Sequence, residues 1–146
     1  MNTPIKACPL CAPRPDENPL WLKVATLGVS SLYLDKNQTY RGHCILIHDE
    51  GHFEGLEKLS EASFGKLMQD VRRAANAIVT ACQPDLMNYA SMGNVVPHVH
   101  WHIVPRYKGD PRWGSPIYTS NLADMRVTPL ADADYRALIE EIRQKL

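Results

Sequence analysis

The chain has 146 residues, enough for one ordinary domain and too few for separate cofactor and substrate domains. Hydrophobic residues make up 45% and charged residues 22%, which excludes a disordered or disulfide-only scaffold and allows a real core. The 16 basic and 16 acidic residues cancel without a block of like charge, so no electrostatic footprint for long nucleic acid is present and a small partner is favoured.

Residues 1–19 hold Pro4, Pro9, Pro13, Pro15 and Pro19 and no apolar run. They read as an irregular arm, with neither a secretory signal nor a membrane helix, and the protein is expected in the cytoplasm. Cys8 and Cys11 stand at Cys-x-x-Cys spacing in that arm, which suits a metal or a redox pair, and they are its obvious pin. Cys44 and Cys82 lie in apolar patterns and read as core residues.

Leu20–Leu27 and Ser31–Leu34, divided by Gly28, predict a β-hairpin. After the turn-forming residues 35–42, His43–His48 reads as a short buried strand. From Ser60 to Cys82, Phe64, Leu67, Met68, Val71, Ala75, Ile78, Val79 and Cys82 form one helical stripe. Ser60 fits the N-cap, Glu61 suits the first turn, and Pro84 ends the helix. Leu86–Ala90 and Val95–Tyr107 are predicted to pair as a hairpin through the turn Ser91–Asn94. Residues 109–132 form a loop-rich tail, and Tyr135, Leu138, Ile139 and Ile142 share one face of a final helix. The expectation is a single α+β domain over 1–146, with a mostly antiparallel sheet of about five strands, one long helix and a C-terminal helix.

The chemistry concentrates in the segment 97–107. On a strand, His98, His100 and His102 project to one side while Val99, Trp101 and Ile103 project to the other. Half of the 6 histidines are spent here, where any polar residue would serve a merely solvated face. Imidazole can be a metal ligand, a general acid or base, or a nucleophile. Upstream, Asn88, Gly93 and Asn94 offer amide donors and a close-approach backbone, which suits phosphate oxygens. A catalytic metal held by all three histidines is a second reading, although a strand presents a third ligand only with strain and no Asp or Glu lies in the motif. A zinc-stabilised nucleotide-binding module without turnover is a third.

The run His98-Val99-His100-Trp101-His102-Ile103-Val104 resembles the signature of the histidine triad (HIT) superfamily of nucleotide hydrolases and transferases. The likeness extends to Leu32–Ile47 with its Gly42-His43 pair, to the long helix, and to Pro105-Arg106-Tyr107. It implies a HIT-like fold and a reaction in which His100 attacks the α-phosphorus of a nucleoside 5′-phosphate derivative, such as a dinucleoside polyphosphate or a phosphoramidate, forming a covalent nucleotidyl-histidine. By the same likeness His102 contacts the phosphate and the leaving group, and Asn88, Gly93 and Asn94 hold phosphate or ribose. Zinc-bearing relatives imply a structural Zn²⁺ site of Cys8, Cys11, His52 and His98, with His48 competing for the place of His52. A homodimer through the long helix and an edge strand is also implied.

Two departures bear on the substrate. Val95 stands where many relatives have a polar residue facing the leaving group, and Leu34 stands where some have a histidine facing the nucleotide. Arg106 reads equally as a phosphate contact or a structural ion pair, and Trp113 as packing.

Overall fold

The computed structural model describes residues 8–118 and 125–146. Strands β1 (Trp21–Thr26), β2 (Ser30–Asp35) and β3 (Cys44–His48) precede helix α1 (Glu61–Cys82), and β4 (Leu86–Ala90), β5 (His100–Arg106) and α2 (Asp132–Arg143) follow it. The sheet runs β1-β2-β3-β5-β4, and every neighbouring pair is antiparallel. This is the expected α+β architecture.

Helix α1 starts where its sequence signals it. The Ser60 hydroxyl accepts from the Ser63 amide at 3.1 Å, and Gln83 closes the helix in the left-handed region at φ 50° before Pro84. Leu67, Val71, Ala74 and Ile78 press against Leu32, Leu34, Cys44, Leu46 and Ile103 of the sheet, joined by Leu138, Ile139 and Ile142 of α2. Asp70 fixes α1 to the β1–β2 turn. Its carboxylate accepts from the Gly28 amide at 3.0 Å, the Val29 amide at 2.8 Å and the Ser30 hydroxyl at 2.6 Å.

Two segments cover parts of the opposite face. Leu10 of the arm packs on Trp21, Tyr33, Ile45 and Ile47, and Ile117 of the tail packs on Tyr40 and Val104. Arg14 holds the arm down by donating to the Tyr33 hydroxyl at 3.2 Å and to the Asp49 carboxylate.

The β4–β5 connection is longer than the predicted turn. Pairing starts at Ala90 with His102, so residues 91–99 form a loop and β5 begins at His100, not at Val95. Pro97 has no amide to donate, and Val99 is drawn off to the segment after β3: its amide donates to the Phe53 carbonyl at 2.8 Å and its carbonyl accepts from His48 at 3.1 Å.

Candidate active site and metal cluster

Pairing of Ile47 with His100 and Ile45 with His102 sets both imidazoles on the face away from the helices, with ring centroids 5.3 Å apart. His98, which precedes the strand, is 1% exposed, and its ring meets that of His52 with centroids 5.4 Å apart. The three triad imidazoles therefore separate into a pair on the sheet face and a single ring buried beside the arm.

That buried ring completes a cluster with Cys8, Cys11 and His52, whose donor atoms all lie within 4.8 Å of one another. The two Nδ1 atoms are 3.4 Å apart, Cys11 Sγ is 3.4 Å from His52 Nδ1, and both sulfurs are 3.7 Å from His98 Nδ1. A tetrahedral ion with ordinary Zn–S and Zn–N lengths requires ligand separations of roughly 3.3 Å between nitrogens to roughly 3.8 Å between sulfurs. The tautomer agrees with ligation. His98 Nε2 donates to the His48 carbonyl at 2.8 Å, so its Nδ1 lone pair faces the cysteines. These four residues could hold a metal. His48 contributes its backbone, while its fully buried ring faces Phe53 edge-on and its ring nitrogens have no hydrogen-bond partner among the described residues.

The same backbone orders the pocket. His100 Nδ1 lies 2.6 Å from the His98 carbonyl oxygen, which can only accept, so Nδ1 carries the proton and Nε2 keeps its lone pair. His102 is tied on its far side, its Nδ1 lying 3.1 Å from His43 Nε2. One of these rings donates and the other accepts, so their tautomers are fixed as a pair. Burial holds both in the neutral form, pushing His43 down to about 3, helped by His102, and His102 down to about 4, helped by His100. Behind them Asp35 Oδ2 is 3.9 Å from His43 Nδ1, too far for a hydrogen bond, and burial raises that carboxyl to about 6 against the Asn37 amide that stabilises its anion.

A cavity of about 370 Å³ opens over His100 and His102. Gly93, Asn94, Met92, Val95 and Val96 of the β4–β5 loop, Ile45, Leu10 and Tyr118 complete its wall. Gly93 adopts φ 66°, which turns the loop back over the cavity.

Asn88 sits elsewhere. It shares a recess of about 390 Å³ with Leu86, Arg106 and Trp113, and its Oδ1 accepts from Arg106 at 2.7 Å. Arg106 is 3% exposed and spends its remaining donors on Asp110 at 2.8 and 3.0 Å, the Ser115 carbonyl at 2.8 Å and the Arg112 carbonyl at 2.7 Å. All five N–H groups are thereby used, which makes Arg106 a structural residue. Trp113 lines the Asn88 recess and not the His100 cavity. Leu34 is buried in the helix-side core.

Asp35, His43, Leu10 and Tyr118 are the site neighbours that sequence reasoning did not single out. Only His43 carried a signal, in its Gly-His pair. The others arrive from the end of β2, the arm and the tail, and no local pattern marks them.

Comparison with known proteins places this geometry in a family. The HIT domain model matches residues 23–109. The chain is 31% identical over 113 residues to the adenylylsulfatase HINT3 of Arabidopsis thaliana, covering 74% of this chain and 56% of that protein. It is 28% identical over 126 residues to the adenosine 5′-monophosphoramidase hnt1 of Schizosaccharomyces pombe, covering 86% and 88% of the two chains. The crystal structure of a histidine triad protein from Sinorhizobium meliloti 1021 superposes with a TM-score of 0.78 at 21% identity, covering 86% of this chain and 90% of that one. With its triad strand, its five-stranded antiparallel sheet and a family match over more than half its length, the chain belongs to the HIT domain family.

Proposed function

We propose that the protein is a nucleotide hydrolase or nucleotidyl transferase in which His100 attacks the α-phosphorus of a nucleoside 5′-phosphate derivative. One observation carries this reading: the Nδ1 proton of His100 is committed to the His98 carbonyl, so the Nε2 lone pair is the reactive position of a ring that lines the cavity. The names of the two relatives point the same way, one to a phosphoramidate and the other to an adenylyl sulfate.

In the first displacement Nε2 forms a bond to phosphorus as the bond to the leaving group breaks, and the positive charge on the ring is shared with the His98 carbonyl through Nδ1–H. His102, neutral and fixed by His43, lies beside the phosphoryl oxygens. Asn94 and the Gly93 turn supply uncharged polar contacts to the phosphate. Water then takes the nucleotidyl group and frees His100. Asn88, with its Oδ1 engaged by Arg106, has only its side-chain N–H groups to offer a substrate.

The four-residue cluster would hold Zn²⁺ as a closed structural site, tying the arm to the loop that precedes the triad strand. A homodimer is favoured by the open edge of β4 and by Phe64, Val79, Leu86 and Tyr89, apolar residues left 41%, 41%, 54% and 49% exposed on α1 and β4. No helix of the described residues is long and apolar enough to cross a membrane. The single-domain organisation and the cytoplasmic placement rest on the sequence reading.

The deciding experiment is mass analysis, intact and after digestion, of the wild-type enzyme quenched in alkaline denaturant during turnover of a nucleoside phosphoramidate, because the N–P bond to histidine is labile in acid. Nucleotide mass localised to His100 is expected, together with loss of turnover in His100→Ala. Turnover at the wild-type rate in that variant sinks the proposal.

A further inference from the structure

The 4 cysteines divide between two environments. Cys44 is fully buried, and burial pushes its thiol and that of Cys82 up, so neither ionises readily. Cys8 and Cys11 are half-buried and share one turn, in which the Cys11 amide donates to the Cys8 carbonyl at 3.3 Å and the two sulfurs lie within 4.8 Å of each other. The cluster they join is lopsided. His52 and His98 are 5% and 1% exposed, so the two cysteines are its more accessible members.

The same turn is part of the pocket. Pro9 and Leu10 lie between the cysteines, and Leu10 both lines the cavity over His100 and packs on Trp21, Tyr33, Ile45 and Ile47. Further along, Arg14 holds the arm without help from the cluster, donating to the Leu10 carbonyl, the Tyr33 hydroxyl and Asp49. A change in the turn therefore acts on Leu10 while Arg14 keeps the arm on the sheet.

Resting on the structural Zn²⁺ reading above, we propose that Cys8 and Cys11 are an oxidation site for hydroperoxides, whose disulfide empties the cluster and disturbs the Leu10 wall of the cavity. One thiolate sulfur attacks a peroxide oxygen; the O–O bond breaks, hydroxide leaves, and a sulfenic acid forms. The second thiolate attacks that sulfur, the S–OH bond breaks, and another hydroxide leaves. The two thiolates have lost two electrons and the peroxide has gained them. A disulfide lacks the anionic charge that holds a divalent ion, and His52 and His98 alone do not make a closed site, so the cluster gives up its metal. The ring closed by the S–S bond contains Pro9 and Leu10, and through them the change reaches the pocket.

The test treats zinc-reconstituted wild type with hydrogen peroxide beside a chromogenic chelator and maps the tryptic digest. Both cysteines fall in peptide 7–23, because Pro15 protects the bond after Arg14. That peptide should lose two hydrogen masses in step with zinc release, while Cys44 and Cys82 remain open to alkylation after unfolding. Oxidation should also lower kcat/KM for a nucleoside 5′-phosphoramidate by on the order of fivefold, the worth of part of one leucine contact, and dithiothreitol with Zn²⁺ should restore it. Zinc kept by the disulfide form, zinc lost without a disulfide in peptide 7–23, or an unchanged kcat/KM in the metal-free disulfide form overturns the inference. Reduced wild type that takes up no zinc overturns the structural-site reading, and this inference with it. If the reduced protein cleaves no phosphoramidate, the nucleotidyl-transfer reading falls, and zinc release with the mass of peptide 7–23 decides the oxidation site.

Discussion

The backbone of His98 grips the ring of His100: a carbonyl oxygen and an Nδ1 proton meet across 2.6 Å. The ring of His98 meanwhile stands in the Cys8, Cys11 and His52 cluster. A single residue therefore belongs to the Cys/His cluster through its side chain and fixes the tautomer of its neighbour through its main chain. Disturbance of the cluster reaches the pocket by this route, and also through Leu10, which lies between the two cysteines and forms part of the cavity wall.

Metal removal should accordingly appear first as lost stability. A bound ion that is absent from the unfolded chain contributes about 3 kcal/mol at modest saturation, or roughly 6–12 °C in Tm for a chain of this size. Thermal unfolding before and after chelation, with metal content measured alongside, checks this. Cys8→Ser should melt at the chelated protein's temperature and show no further response to chelator. An unchanged Tm after complete metal loss would remove the structural role.

Acid should destabilise the fold in a defined window. His43 and His102 have folded-state values depressed to about 3 and about 4, so they contribute stability that is present above their ordinary value near 6.5 and lost as pH falls. Asp35 is raised to about 6, so its burial costs stability above that value and relieves part of the loss below it. Between pH 6 and 4 the unfolded chain binds two protons on the histidines and the folded chain one on Asp35. For these three groups the net slope of one proton amounts to roughly 1 kcal/mol per pH unit, and His48 and His98, also held down by burial, add to it in the same direction. Urea midpoints between pH 7 and 4 should fall accordingly, and more shallowly in His43→Gln. A His43→Gln profile parallel to the wild type refutes the assignment.

Arg106 tests whether a buried cation on the same strand as His100 and His102 is part of the chemistry. Its partner Asp110 has a side chain only 2% exposed, and the Arg106 guanidinium holds that carboxyl below its ordinary value. Arg106→Met strands this carboxylate and is expected to cost about 3–5 kcal/mol in chemical denaturation. KM for a nucleotide substrate should change little in the protein that remains folded. A large rise in KM with unaltered stability would instead make Arg106 a substrate contact.

The edge of β4 is the place to break a dimer. Tyr89→Glu puts a charge on the exposed apolar surface next to α1, where Tyr89 shares a recess with Met68, Val71, Ala75 and Trp101. Sedimentation velocity should show a two-chain species for the wild type and a single chain for the variant. A wild type that sediments as a single chain at micromolar concentration rules out the homodimer.

What the sequence determined by itself is everything that depends on local period. The 3.6-residue stripe and Ser60 mark α1. Alternation puts His100 and His102 on one face, and the Cys-x-x-Cys spacing marks the arm. Periodicity also carried too far, through Val95–Val99, because it does not register that Pro97 lacks a donor and that Val99 bonds to Phe53 and His48 instead of β4. The tertiary structure alone decided the rest: the four partner residues of Arg106, the Asp35–His43–His102 file, and the entry of Leu10 and Tyr118 into the pocket. Each is a meeting of segments far apart in the chain, such as Cys8 with His98 across 90 residues. Such contacts are selected by sheet register and by which faces the helices bury, and neither quantity is encoded in any short run of residues.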